Sequence, residues 1–131
     1  MRIRIITDDL TSALDGAVCF AGAGRTTAVL ARADDLGTDD AVARFDTDTR
    51  AHPAGGKAAS VVKAALAWRD ADIQVLQFDS VPHGHVARDC LTAHAVSGRR
   101  KSLIAPAFPA AGRTMVDGIV GIHGMRGRAD T

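Results

Sequence analysis

The sequence predicts a single α/β domain, built as three α/β/α layers around a mainly parallel sheet of about five to six strands. A chain of 131 residues is the size of one domain. Its composition, 47% apolar and 24% charged, is that of an ordinary globular protein with enough apolar side chains for a core. Short β-branched runs alternate with segments of helical periodicity, which is the pattern of βαβ units.

The first half of the chain supplies three of the predicted strands. Residues 2–7 form a β-branched run, and residues 11–22 then carry apolar side chains at helical spacing. Glycines end that helix, and residues 25–31 predict a second strand. Residues 33–40 are acidic and typical of a loop, and residues 41–45 predict a third strand.

The second half continues the alternation. Residues 57–68 predict an amphipathic helix, and residues 73–78 predict a fourth strand. A helix follows from about residue 85 to residue 95, and residues 102–105 predict a fifth strand. Residues 106–113 are then expected to form a loop, and residues 116–122 one more short strand.

Charge and targeting signals narrow the classes of protein. A formal net charge of +1 gives no electrostatic basis for binding nucleic acid or an anionic membrane. Neither a signal peptide nor a bilayer-length apolar stretch is visible in the sequence, which predicts a cytoplasmic location. The two cysteines, Cys19 and Cys90, are too few for a disulfide framework or a zinc site, and we expect two buried thiols and no bound metal.

Polar residues cluster where the predicted strands end. Asp8 and Asp9 follow the first strand, residues 46–50 the third, Asp79 and Ser80 the fourth, and residues 106–113 the fifth. Because ligands bind at the carboxyl edge of a parallel sheet, we expect these four loops to converge on one site. Each loop also has an ordinary structural explanation, since such residues cap helices and form turns without a ligand.

The residue types in these loops suit a small hydroxylated acid. The carboxylates of Asp8 and Asp9 can accept hydrogen bonds from hydroxyl groups, and one of them can act as a general base. Arg50 and Arg113 carry forked donors that match a carboxylate or phosphate. In the alternative explanation, Asp9 only caps the following helix and both arginines are ordinary surface residues.

Three segments resemble motifs of the four-carbon acid sugar kinase family, in the family's order: IITDDLTSA at 5–13, DTDTR at 46–50 and APAFPAAGRTMVDG at 105–118. The resemblance extends over residues 3–124 and corresponds to the family's amino-terminal, sugar-binding domain. It implies a sugar-binding domain at residues 1–124, followed by a polar tail at 125–131. Complete members resemble two-domain enzymes that transfer the γ-phosphate of ATP to the terminal hydroxyl of a tetronate or 3-oxo-tetronate.

This resemblance implies roles for the residues of the polar loops. Asp8 and Asp9 are the expected catalytic carboxylates. The expected substrate-binding residues are Asp46, Asp48, Arg50, Asp79, Ser80, Gly112 and Arg113. ATP and Mg²⁺ are implied for the complete family enzyme and neither is expected on this chain, so a separate nucleotide-binding chain would have to deliver them.

The sequence departs from the family pattern at two places. Where the family has a Lys followed by Asp-Ser-Thr-Leu-Arg-Gly-Asn, residues 77–85 keep only Asp79, Ser80 and Gly84. Ser12 stands where the family usually has glycine. The sequence ends near the third motif, so we expect the chain to lack the nucleotide-binding domain and to be a truncated sugar-binding domain that cannot phosphorylate on its own.

Other functions stay open at this point. The first is a non-catalytic relic or interaction domain whose site has decayed. The second is a phosphatase similar to haloacid dehalogenases, with Asp46 as nucleophile and Asp48 as acid/base. The missing strands would also leave an exposed sheet edge, which favours a homodimer.

Overall fold

A four-stranded parallel sheet forms the centre of the computed structural model, which describes residues 1–52, 58–81 and 84–126. Its strands are β1 (Ile3–Thr7), β2 (Thr27–Leu30), β3 (Val42–Asp46) and β4 (Ile73–Gln77), in the spatial order β2, β3, β1, β4. β1 pairs in register with β3 and β4, so that Thr7 lies beside Asp46 and Gln77. All four strands therefore end at one edge of the sheet.

Helices cover both faces of this sheet. α1 (Leu10–Gly22) packs on one face, where Phe20 contacts a small core of Ile3, Ile5 and Val42. α2 (Ala58–Ala67) and α3 (Val86–Ser97) pack on the other face. The larger core there combines residues of the strands, of the helices and of the turn after α2: Ile6, Ala43, Phe45, Val61, Ala64, Ala65, Trp68 and Ala93. The predicted three-layer α/β fold is confirmed.

The strand predicted at residues 102–105 is wrong, so the parallel sheet has four strands instead of five or six. The segment lies outside the ladder of the described sheet, and Leu103 is 92% exposed. An added edge strand is stabilised by packing its side chains under a helix. No described element covers Leu103 in that way.

The single strand predicted at residues 116–122 is also wrong, because the segment forms antiparallel hairpins. β5 (Arg113–Val116) pairs with β6 (Ile119–Ile122), which pairs with β7 (Met125–Arg126). The turn between β5 and β6 has φ of 53° at Asp117 and 78° at Gly118. Positive φ at both central residues defines a type I′ turn, which matches the twist of a hairpin. The loop predicted at 106–113 contains a short 3₁₀ helix, Pro109–Ala111.

The structure also bears on the predictions for the cysteines, the start of α2 and the tail. Cys19 is exposed and Cys90 is partly buried, so the expectation of two core thiols is wrong for Cys19. Residue 57, the predicted start of α2, lies outside the described residues, as do residues 127–131 of the predicted tail. Within the described ranges, no helix has the length and apolar character needed to cross a membrane.

Candidate functional site

The loops that follow β1, β3 and β4 contact one another at the carboxyl edge of the sheet. The backbone N–H of Thr47 donates to the carbonyl of Thr7 at 2.9 Å, and that of Arg50 donates to the carbonyl of Asp8 at 3.1 Å. Gly84, with φ of 73°, lies so close to Arg50 that a Cβ there would be 3.0 Å from the Arg50 carbonyl oxygen. The parallel register thus brings separate polar segments together.

Arg50 joins the two carboxylates that follow β1. Its Nε and Nη2 atoms donate to the two oxygens of Asp8, at 3.0 and 2.9 Å. Its Nη1 donates to Oδ2 of Asp9 at 2.5 Å, and Nη2 also reaches Oγ of Ser12 at 3.3 Å. The hydrogen bond to Asp8, with the negative charges nearby, raises the pKa of the Arg50 guanidinium.

Asp9 also fixes the start of α1. Its Oδ1 accepts the backbone N–H of Ser12 at 2.7 Å, so Asp9 is the N-cap residue. The structural explanation offered by the sequence is therefore correct for this side chain. Its other oxygen remains bonded to Arg50, and a carboxylate has lone pairs left for a further donor. Capping and ligand binding are therefore compatible at Asp9.

A second polar cluster connects the loop after β4 to the start of β5. The Nη1 atom of Arg113 donates to Oγ of Ser80 at 2.5 Å and approaches Oδ1 of Asp79 at 3.4 Å. The backbone N–H of Val81 donates to the same carboxylate at 3.2 Å. The hydrogen bond from Val81 is the main cause of a lowered pKa of Asp79. The hydrogen bond from the Ser80 side chain and the positive charges of Arg113 and Arg50 lower this pKa further.

The two arginines differ in how many donors they have left. Arg50 uses all three guanidinium nitrogens within the site. In the described part of the chain, Arg113 bonds through Nη1 alone, and its side chain is partly exposed. The free Nε and Nη2 groups of Arg113 form a fork of the kind that binds a carboxylate.

Asp46 and Asp48 lie in the turn that leaves β3. Oδ1 of Asp46 accepts the backbone N–H of Asp48 at 2.8 Å, and Asp48 takes a φ of 51°. Its Oδ2 lies 3.0 Å from Nε2 of His52. Between them, the buried Thr47 hydroxyl donates to the Thr7 carbonyl at 2.7 Å. The turn is therefore tied to β1 while its two carboxylates stay near the surface.

Gly112 shapes the entry to β5. It ends the 3₁₀ helix with φ of 68°, and its carbonyl accepts the backbone N–H of His123 at 2.7 Å. A Cβ at this position would lie 2.5 Å from Nδ1 of His123. Any other residue here would be strained by the positive φ and would displace the His123 ring, so glycine is favoured, and it sets the direction in which the next residue, Arg113, leaves the turn.

The structure thus brings Asp8, Asp9 and Arg50 into one cluster, and Asp79, Ser80 and Arg113 into another. Sequence reasoning missed the part of Ser12 as an acceptor for Arg50, and the contact of His85, whose Nε2 lies 2.7 Å from the His52 carbonyl. Only the close approach of backbone segments reveals either contact. Over the described ranges, no group of three or more His, Cys, Asp or Glu side chains could hold a metal.

Within residues 1–52, 58–81 and 84–126, the volume enclosed beside the loop cluster is small. The void beside Asp8, bounded also by Phe78 and Asp89, has a volume of about 10 Å³, enough for one water molecule. A larger cleft of about 220 Å³ lies at the opposite, amino-terminal edge, next to Arg4 and Trp68. The void beside Asp8 is therefore too small to enclose a ligand within the described residues.

A parallel α/β sheet with acceptor carboxylates and a free arginine fork at its carboxyl edge defines a small-molecule binding domain. The chain belongs to the family of sugar-binding N-terminal domains, whose model matches residues 3–130. The match covers nearly the whole chain, and the resemblance found in the sequence motifs is confirmed.

Three characterised proteins are similar to this chain. It is 32% identical over 129 residues to the D-threonate kinase of Salmonella typhimurium, and 33% identical over 129 residues to that of Cupriavidus necator. It is 31% identical over 134 residues to the 3-oxo-tetronate kinase of Brucella melitensis. Each alignment covers 95% of this chain and 30% of the relative, so the chain spans about a third of the length of these kinases.

Proposed function

We propose that this chain binds a small sugar acid of the tetronate type at the carboxyl edge of its sheet, through residues 1–124. Membership in the sugar-binding family supports this, and the similar proteins are named for threonate and 3-oxo-tetronate. The observation that carries the proposal is the Arg113 fork, held beside Ser80 and Asp79 with donors to spare. Arg113 binds the carboxylate of the ligand.

Arg50 has a different role in this proposal from the one expected for it. Its three nitrogens already bond Asp8 and Asp9, so it orients those carboxylates instead of holding the acid group. Asp8 and Asp9 accept hydrogen bonds from ligand hydroxyls, and one of them takes the proton when a hydroxyl attacks a phosphate. Asp46 and Asp48 offer further acceptors, and Gly112 sets the direction of Arg113.

In this proposal the chain binds the sugar acid that accepts the phosphoryl group, and it supplies the carboxylate that takes the proton from the attacking hydroxyl. Phosphoryl transfer depends on positioned phosphates and on a metal ion. The described part of the chain has no group of three metal-ligating side chains, and Mg²⁺ usually binds one or two carboxylates together with substrate phosphates, so in this proposal it arrives with the nucleotide. ATP and Mg²⁺ are brought by a nucleotide-binding part that lies outside these 131 residues and closes over the loop cluster. We also propose a cytoplasmic location, as the sequence predicts.

Calorimetry with D-threonate and D-erythronate tests the proposed binding, first alone and then with ATP and Mg²⁺. We expect saturable binding that Arg113→Met weakens by about tenfold or more, because a charged hydrogen bond to the acid is lost. Arg32→Met is the matched control, since Arg32 is far more exposed and its ion-pair distance to Asp34 is 3.9 Å. The control should bind like the unchanged chain.

A cooperative thermal transition together with no binding of either acid would contradict the proposal. That pair of results would favour the non-catalytic relic, in which the fold is kept and the site has lost its ligand. Equal losses in Arg113→Met and Arg32→Met would contradict the role given to Arg113 while leaving the binding itself established.

We also propose that two copies of the chain associate through β4. In the described sheet β4 pairs only with β1, so its other edge has free backbone donors and acceptors. Leu103 and Ile104, in the segment predicted to be a fifth strand, have exposed apolar side chains. The Ile73 N–H donates to the Arg2 carbonyl on the β1 side, so the N–H of the next residue, Gln74, faces the free edge. Sedimentation should show a dimer that a proline at Gln74 dissociates, and a monomer at high concentration would exclude it.

A further inference from the structure

An arginine without a carboxylate partner lies beneath the candidate site. Arg44, in the middle of β3, is 1% exposed and faces α1. Its Nη2 donates to the Ser12 carbonyl at 3.4 Å and to the side-chain oxygen of Gln77. The described residues offer no acceptor to its buried Nε–H and no carboxylate in an ion pair with it. Burial lowers the pKa of the guanidinium.

This arrangement costs stability, and the sequence of α1 accommodates it. A buried charge without a counter-charge is less stable than an apolar side chain of similar volume. The helix nevertheless has glycine at position 16, where a Cβ would overlap the Arg44 guanidinium. Hydrophobic packing accounts for neither the buried charge of Arg44 nor the missing side chain of Gly16.

Ser12, whose carbonyl accepts from Arg44, also bonds two members of the carboxylate cluster, Asp9 and Arg50. Its backbone N–H donates to Asp9, and its Oγ accepts from Arg50. Its carbonyl accepts from Arg44 and also from Nε2 of Gln77 at 3.2 Å. One residue thus connects the buried guanidinium to the groups that face the ligand.

We propose that Arg44 is a positioning residue for this site. It anchors the Ser12 carbonyl to the sheet and thereby fixes Asp9 and Arg50 relative to β3. Gly16 is the position in α1 that makes room for it. This inference rests on the proposed function only in taking the carboxylate cluster as the binding site, because the contacts themselves involve no ligand.

The Nε–H group of Arg50 provides a test that needs no ligand. It donates to Asp8 at 3.0 Å, so it should give a protected arginine side-chain signal in a ¹⁵N NMR spectrum at mildly acidic pH. Gly16→Ala inserts a Cβ into the space of the Arg44 guanidinium. We expect it to reduce the protection of the Arg50 Nε–H from solvent exchange by about tenfold, as the loss of a charged hydrogen bond would.

Gly22→Ala is the matched control, because it makes the same change in the same helix where a Cβ would meet nothing within 4 Å. Its Arg50 signal should match that of the unchanged chain. Arg44→Lys keeps the charge and loses the fork, and it replaces Gly16→Ala in the test if that variant does not fold. We expect the same loss of protection in Arg44→Lys.

Unchanged protection of Arg50 in a folded Gly16→Ala or Arg44→Lys variant would overturn the positioning role, whatever the ligand proves to be. Threonate titration then separates the two proposals. If threonate binds, Gly16→Ala should weaken binding by a factor similar to the loss of protection. If threonate does not bind, the proposed function fails while the NMR comparison still decides the role of Arg44.

Discussion

Replacing Arg50 by methionine removes the charged hydrogen bonds that unite the two strand-end carboxylates. The lost bonds measure 3.0 and 2.9 Å to Asp8 and 2.5 Å to Asp9. The side chains of Arg50 and Asp8 are only 27% and 10% exposed, so solvent screens them less than a surface pair. Exposed ion pairs contribute up to about 1 kcal/mol, and breaking a buried pair costs about 3–5 kcal/mol. We expect an intermediate loss of about 2–3 kcal/mol at neutral pH.

Urea unfolding of Arg50→Met, Asp8→Asn and the double variant measures this loss and isolates the pair. Arg50→Met removes both hydrogen bonds to Asp8, and Asp8→Asn removes the negative charge and one of the two acceptor oxygens, so we expect a coupling free energy of about 1.5–2 kcal/mol. The melting temperature of Arg50→Met should fall by roughly 6–9 °C, given about 3 °C for each kcal/mol in a domain of this size. Arg32→Met, an exposed arginine, serves as the control and should change stability by less than about 0.5 kcal/mol.

Additive effects of Arg50→Met and Asp8→Asn would refute this reasoning. A coupling free energy below about 0.5 kcal/mol is the limit expected for distant, independent sites. It would mean that the carboxylates are solvated separately in solution and that Arg50 does not orient them. The role given to Arg50 in the proposed function would then have to be withdrawn.

Three further predictions concern the core, the second polar cluster and the turn before β5. Ile6→Ala, at a fully buried position between α2 and the sheet, should lower the free energy of unfolding by about 2–5 kcal/mol in urea titrations. Asp79 has a lowered pKa in the folded state, so it contributes stability above its usual pKa of 3.8 that is lost as the pH falls further. Asp79→Asn should therefore flatten the acid limb of the stability profile below about pH 4, and an unaltered limb would contradict this. Gly112→Ala, at a positive φ and against His123, should cost about 1–3 kcal/mol in thermal melts and weaken threonate binding.

Most of the parallel sheet could be predicted because its signals are local. β1 and β3 are short runs buried on both faces, and α1 begins at an aspartate that caps it. The segment at 102–105 shows where such signals fail. Its composition is that of a strand, but a strand forms only when a neighbour and a covering layer are present, and neither is a property of the segment itself.

The hairpins after residue 112 are encoded by the residues of their turns. Asp-Gly at 117–118 between apolar runs is the residue pair that a type I′ turn prefers, and it predicts two strands where one was expected. His123 and Gly124 repeat the pattern with φ of 47° and 80° before β7. Turn chemistry would have given the correct topology here, whereas hydrophobic periodicity alone merged two strands.

The position of the candidate site followed from the sequence, but its internal pairing did not. Strand ends predicted that Asp8, Asp9 and Arg50 would approach one another. Whether Arg50 points to a ligand or to the two carboxylates depends on side-chain geometry. Asp9 and Asp8 precede Arg50 by 41 and 42 positions in the sequence, so no local pattern gives this geometry. The position of the Arg44 side chain could not be predicted from the sequence either, because it depends on the space left by Gly16 in α1.

The strand order has a consequence for how the chain folds during synthesis. Of the four strands of the sheet, β1 leaves the ribosome first, yet its two neighbours are β3 and β4. Ile3 can therefore pair only after Val42 has been synthesised, and then on its other side after Ile73. A parallel strand cannot form a hairpin with the segment that follows it, and such distant pairings close slowly. The nascent chain must therefore carry an unpaired, apolar first strand until β3 has emerged and a strand paired on one edge alone until β4 follows, and this is the period in which a chaperone would protect it most.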